Sequence, residues 1–220
     1  MLAHDQPSAA ISLDPASTAL VIVDMQNDFC HPEGYYARVG QDVLPLKAAT
    51  APIAKLLERA RDCGTTIVFT RLVHDESRGA MEERHVLRPR RWTASGKRLL
   101  PGTWGAEVID ELAPRAGELV IDKAGYSGFD DTALEGELRS RGIRTVLLTG
   151  VVTYACVLAT AFSAFDRGFD VLVASDAVGS WNETLGRDTH QIVDLLMGHA
   201  VPSDEIELRR EALSSGGLGS

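Results

Sequence analysis

Five apolar runs of strand length, alternating with helix-periodic segments, predict an α/β protein in three layers: a parallel sheet sandwiched between helices. Two observations carry this assignment. Runs such as Ala19, Leu20, Val21, Ile22 and Val23 contain no polar residue and offer no solvent face, which marks strands buried on both sides by crossover helices. Two runs end in ionisable residues, Asp24 and Lys123, and a third is followed after a short turn by Cys156. Ligands of open α/β sheets bind at the carboxyl ends of the strands, so these three side chains are expected to meet in one crevice.

The strands are expected at residues 19–24, 65–73, 118–123, 145–151 and 170–178. Ile53, Leu56, Leu57 and Ala60 recur at helical spacing, and Gly64 stands where that helix should stop. Leu134, Leu138 and Ile143 mark a second helix, entered through Asp130 or Asp131 as cap and ending near Gly142. The chain turns helical again near Thr153, and a last helix runs over about 182–197 with Leu185, Ile192, Val193, Leu195 and Leu196 expected on its inner side. Residues 75–104 break the rhythm. They are rich in Arg, Gly and Pro, and a long irregular insertion in an α/β domain reads as a lid or pocket wall. Arg84, Arg88, Arg90 and Arg91 within it suit a solvated face, an anionic substrate or a neighbouring subunit, and Trp92 and Trp104 suit a pocket wall or ordinary packing. One domain over 18–208 is expected, with an N-terminal extension at 1–17 and a flexible Ser- and Gly-rich tail at 209–220.

A net charge of −9 argues against a broad nucleic-acid footprint, which needs clustered Lys and Arg. The first residues lack a basic then apolar leader, and no apolar run approaches the roughly 18 residues of a membrane span, so a cytoplasmic protein is expected. Cys30, Cys63 and Cys156 are odd in number and widely spaced, which fits free thiols in a reducing compartment better than a disulfide framework or a CxxC metal site. Cys156 stands apart from the other two. A thiol at a strand-to-helix turn has helix N–H groups and the positive dipole end beside it, and its pKa is expected to fall toward neutrality.

Asp24, Met25, Gln26, Asn27, Asp28 and Phe29 follow the first strand. Lys123, Ala124, Gly125, Tyr126, Ser127, Gly128 and Phe129 follow the third, and Thr149, Gly150, Val151, Val152, Thr153, Tyr154, Ala155, Cys156 and Val157 follow the fourth. In order, spacing and context this pattern resembles the isochorismatase-like cysteine hydrolases, over residues 18–207. The resemblance implies a six-stranded parallel sheet flanked by helices, a catalytic triad of Asp24, Lys123 and Cys156, and a cis peptide at Val151–Val152. It further implies that Asp24 takes the Cys156 proton, that the thiolate attacks an amide carbonyl, and that backbone N–H groups of Val152 and Cys156 hold the oxyanion. Water then hydrolyses the thioester, and Lys123 supports Asp24 with positive charge.

Nicotinamidases of that family hold a metal through an Asp-x-His motif and a further His after the second strand. Here Thr70, Arg71, Leu72, Val73, His74 and Asp75 lack the paired ligands, so neither metal nor other cofactor is expected. Isochorismatases cleave a vinyl ether and lack the nucleophilic cysteine. Gly34, Tyr35, Tyr36, Trp104, Gly105 and the Tyr126 stretch look like ureidoacrylate amidohydrolases, whereas Thr70, Arg71 and His74 look closer to biuret hydrolase and N-carbamoylsarcosine amidohydrolase. Tyr154 departs from the more usual Asn or Asp two residues before the nucleophile. The expected activity is metal-independent hydrolysis of a small linear amide, ureido or carbamoyl compound with release of ammonia, and Phe29, Arg71 and Tyr126 are the expected substrate contacts. The alternatives are a nicotinamidase or isochorismatase-type activity on the same fold, or a non-catalytic binding protein using the pocket. Family members are commonly dimers or tetramers, which implies a homodimer or homotetramer here.

Overall fold

The computed structural model describes residues 10–74 and 98–209. The arginine run at 84–91, Trp92 and most of the segment expected as a lid lie outside the described residues, as does the tail from 210. In chain order the strands are β1 (Ile11–Leu13), β2 (Thr18–Val23), β3 (Thr66–Leu72), β4 (Leu119–Lys123), β5 (Thr145–Val151), β6 (Asp170–Gly179), β7 (Gly198–Val201) and β8 (Ile206–Leu208). The α-helices are α1 (Asn27–Cys30), α2 (Tyr35–Arg38), α3 (Leu44–Lys47), α4 (Thr50–Cys63), α5 (Leu134–Ser140), α6 (Leu158–Asp166) and α7 (Glu183–Leu196). Strands β2 to β7 form one parallel sheet in the order β4-β3-β2-β5-β6-β7.

Strand β2 is buried along its whole length, and its alternation sorts side chains into two cores. Leu20 and Ile22 pack with Ile53, Leu56, Leu57 and Ala60 of α4. Ala19, Val21 and Val23 pack with Leu134 and Leu138 of α5, Ala161 and Ala164 of α6, and Val193 of α7. Helices therefore cover both faces of the sheet, and each fully buried Leu or Ile contributes roughly 1.5–3 kcal/mol. The five strands expected from their apolarity begin and end within one residue of those runs. The sixth, β7, has only four residues, too few to show a period. Strand β1 pairs in parallel with β8, Ile11 opposite Ile206 and Leu13 opposite Leu208, and Ile11 and Leu13 pack on the α4-side core. Part of the stretch expected as an extension is thus tied to the domain.

Two local expectations are corrected. The N-cap of helix α5 is neither Asp130 nor Asp131 but Ala133, which makes no side-chain cap bond; in the turn before it Thr132 Oγ1 accepts from the N–H of Leu134 at 3.2 Å and donates to the carbonyl of Gly128 at 2.6 Å. On α7 the inner face is Gly186, Thr189 and Val193, with Ile192 packed partly against the core, while Leu185, Leu195 and Leu196 are exposed. Five apolar side chains spread over more than one face of this helix, and the residues that let it sit close are small ones. Its N-cap is Asn182, whose Oδ1 accepts from the N–H of Leu185.

Gly150 fixes the central contact of the sheet. It lies opposite Val23 at φ +99°, beside a register shift between β5 and β6, and a Cβ there would sit 2.1 Å from the Val23 carbonyl oxygen. Gly150→Ala is expected to cost roughly 3 kcal/mol or more, a fall of about 6–12 °C in melting temperature for a chain of this size. A thermal melt within about 2 °C of wild type would refute that role for the close approach.

Candidate active site

Asp24, Lys123 and Cys156 follow or end β2, β4 and β5, and the strand order places β3 between the aspartate and the lysine. Lys123 spans that strand. Its Nζ lies 2.7 Å from Oδ2 of Asp24, with both side chains wholly buried, and it donates to the carbonyl of Gly125 at 3.0 Å. Asp24 sits at φ +52°, its N–H donates to the carbonyl of Thr70 at 3.1 Å, and its Oδ1 accepts from Thr70 Oγ1 at 2.7 Å. Cys156 lies in a single wide turn, Thr153–Val157, in which the N–H of Val157 reaches the carbonyl of Val152 at 3.3 Å. The Val151–Val152 peptide bond ahead of it is cis.

Hydrogen bonds lash these elements together. Thr153 Oγ1 donates to the carbonyl of Gly179 at the end of β6, and Thr160 Oγ1 donates to the carbonyl of Cys156 at 2.7 Å. Thr160 Oγ1 also accepts from the N–H of Gly128, and the Ser127 and Ser163 hydroxyls lie 2.8 Å apart. The loop that carries Tyr126 is thereby docked on the helix that carries Cys156.

Burial dominates the Cys156 thiol and pushes it up to about 12; Lys123 pulls it down, and Asp24 adds to the rise. The lowering expected from the helix N-terminus is thus overridden by desolvation. Burial opposes the Lys123 charge too, but Asp24 and Cys156 outweigh it, and the lysine pKa is raised.

A pocket of about 110 Å³ opens over Cys156, lined by Phe29, Tyr36, Leu72, His74, Tyr126, Val152, Tyr154, Ala155 and Trp181. Phe29 and Tyr126, both expected as substrate contacts, stand in this wall. Arg71 does not: its guanidinium takes Asp122 and Glu107, each at 2.7 Å, which hold its pKa up. Strand alternation explains the difference, since Thr70 and Leu72 turn to the site and Arg71 to the opposite face. Trp104 packs edge-on against His31 and borders a separate cavity with Arg98 and Asp28.

Several wall residues had no site assignment from sequence. Trp181 lies just beyond the carboxyl end of β6, the position that signals a ligand site. Its ring lies 5.0 Å from Tyr36 and 6.2 Å from Phe29, and Phe29 and Tyr36 stack at 5.1 Å. The buried amides and acid after Asp24 hold the wall up. Gln26 donates to the carbonyls of Leu72 and Ala106 and accepts from the N–H of Leu72, Asn27 donates to the carbonyl of Trp104, and Asp28 accepts from the N–H groups of Tyr35 and Leu99. Among the described residues no three His, Cys, Asp or Glu side chains gather as a metal-binding group. No described helix is long and apolar enough to cross a membrane.

Residues 18–200 match the isochorismatase domain family. A cysteine hydrolase from Pseudomonas syringae pv. phaseolicola 1448A superposes with TM-score 0.78 at 26% identity, covering 91% of this chain and 95% of that one. N-carbamoylsarcosine amidase from Thermoplasma acidophilum is 33% identical, TM-score 0.71, covering 87% and 99%. A pyrazinamidase/nicotinamidase from Streptococcus mutans UA159 is 29% identical, TM-score 0.71, covering 84% and 99%. The chain belongs to the isochorismatase family. With a cysteine hydrolase and an amidase among its structural neighbours, that membership makes it an isochorismatase-family hydrolase.

A raised thiol pKa has a direct readout. The rate of Cys156 alkylation by iodoacetamide, followed by peptide mass, is expected to keep climbing from neutral pH through the ordinary thiol value of 9.0. A plateau near neutrality would mean that thiolate is already formed there and that the Lys123 charge prevails over burial.

Proposed function

We propose that the chain is a metal-independent cysteine amidohydrolase that cleaves the C–N bond of a small linear amide, ureido or carbamoyl compound through a thioester and releases ammonia. The observation that carries this reading is the buried cluster itself: a neutral thiol, a carboxylate to take its proton and an ammonium 2.7 Å from that carboxylate, beneath a small pocket.

The steps follow from the groups present. Asp24 takes the Sγ proton as sulfur bonds to the carbonyl carbon, and the carbonyl π electrons move onto oxygen, where the N–H groups of Val152 and Cys156 receive them. Collapse of this intermediate breaks the C–N bond, and the proton on Asp24 goes to the departing nitrogen, which leaves as ammonia. Water then attacks the thioester while giving a proton to Asp24. The C–S bond breaks, the carboxylic acid leaves, and the proton returns to sulfur. Lys123 keeps its charge throughout and offsets the negative charge that passes among carboxylate, sulfur and oxyanion.

One observation favours a second reading. Phe29, Tyr36 and Trp181 present an aromatic wall suited to a flat acyl group such as a pyridine or pyrazine carboxamide, and one structural neighbour is a pyrazinamidase/nicotinamidase. Against a metal-assisted form of that activity stands Leu72, at the place where the Asp of an Asp-x-His ligand pair ending in His74 would fall.

Ammonia release from ureidoacrylate, biuret, N-carbamoylsarcosine, maleamate and nicotinamide separates the readings. Turnover of a linear ureido or carbamoyl compound, unchanged by chelator and lowered roughly 10³-fold or more in Cys156→Ser, is the expected outcome. Chelator-sensitive turnover of nicotinamide alone would replace the first reading with the second, and turnover that survives Cys156→Ser would remove both.

The homodimer or homotetramer reading is supported by apolar side chains left exposed on α6 and α7, Phe162, Phe165, Leu195 and Leu196. Light scattering is expected to give a multiple of the 23.7 kDa chain mass; the monomer mass would end that reading.

A further inference from the structure

We infer that Thr70 is a positioning residue that selects which oxygen of Asp24 handles the proton, an inference that rests on the reading of Asp24 as the base. Strand β3 lies between the strands that carry Asp24 and Lys123, so the ion pair passes over it, and alternation turns Thr70 toward that pair. Thr70 is fully buried and touches Asp24 twice. Its carbonyl accepts the Asp24 N–H at 3.1 Å, and its hydroxyl lies 2.7 Å from Oδ1. Backbone and side chain of Asp24 are therefore both referred to one residue of the neighbouring strand.

An ionised carboxylate only accepts, so the Thr70 hydroxyl is the donor, at a length typical of a charge-assisted bond. That occupies Oδ1 and fixes the rotation of the carboxylate. Oδ2 faces Lys123 Nζ at 2.7 Å, which takes up one of its two lone pairs. A lone pair on Oδ2 is thus open where a proton can be received. When the Cys156 proton has moved to Oδ2, Thr70 goes on donating to Oδ1, now the carbonyl oxygen of the neutral acid. The proton therefore stays on the oxygen from which it must be handed to the departing nitrogen.

Valine has the shape of threonine without the donor, and serine keeps the donor without the methyl. With a substrate that the wild type turns over, Thr70→Val is expected to lose roughly 10–100-fold in kcat with KM little changed. Thr70→Ser is expected to return kcat to within about threefold of wild type. Thr70→Ala repeats the test with a smaller side chain if Thr70→Val melts early.

A folded Thr70→Val or Thr70→Ala with the wild-type kcat would overturn the proposal, as would a loss confined to KM, or a Thr70→Ser that loses as much kcat as Thr70→Val. Asp24→Asn separates the two levels. If it retains turnover, Asp24 is not the base and the underlying reading fails; if it is inactive while Thr70→Val behaves as wild type, only the role of Thr70 fails.

Discussion

The pairing of Lys123 with Asp24 is the constraint on which the carboxyl edge of the sheet depends. Both side chains are out of water, and the effective penalty for placing two charges there is several kcal/mol per ion, recovered only when geometry and further hydrogen bonds are good. The structure meets that condition from both ends: Thr70 serves the carboxylate and the Gly125 carbonyl serves the ammonium. Loss of either charge would strand the other at a cost of about 3–5 kcal/mol. The lysine must cross β3 to reach its partner, so the pair also ties three adjacent strands at the point where the loops of the pocket begin.

Burial decides the state of the Cys156 thiol, with the same pair acting beside it. A helix N-terminus and a nearby ammonium both favour thiolate, and on sequence these were the visible influences. Desolvation of a completely enclosed sulfur outweighs them, and the neighbouring carboxylate adds to it. In the proposed reaction this thiol releases its proton in concert with attack, to an acceptor already oriented by Thr70.

Much of this was legible in the residues because the central strands are continuous in apolarity and because Asp24, Lys123 and Cys156 close or follow them. Strands β1, β7 and β8 were not, being three or four residues long and held by pairing rather than by any pattern of their own. Arg71 shows a different limit. Adjacent residues of a strand face opposite ways, and the linear order does not say which of Thr70 and Arg71 meets the site until the neighbouring strands are in register. The buried Gln26, Asn27 and Asp28 carry a structural part of the same motif that ends in Phe29: they bond the backbone of β3 and of the 98–106 stretch, and so hold the aromatic wall upright. Trp181 came into view only with β6, whose end delivers it to the pocket.

That tryptophan gives the protein an internal optical reporter. Its indole N–H is fixed to the carbonyl of Asp42, its ring lies against Tyr36, and it borders the same cavity as Cys156. Trp104 faces a different environment, half exposed and edge-on to a histidine. A molecule entering the pocket displaces water from beside Trp181 and leaves Trp104 untouched, so occupancy is written into the intrinsic fluorescence of the unlabelled chain. In the proposed reaction an acyl group on sulfur would keep that signal altered until water removes it, so that filling and emptying could be timed separately within one turnover.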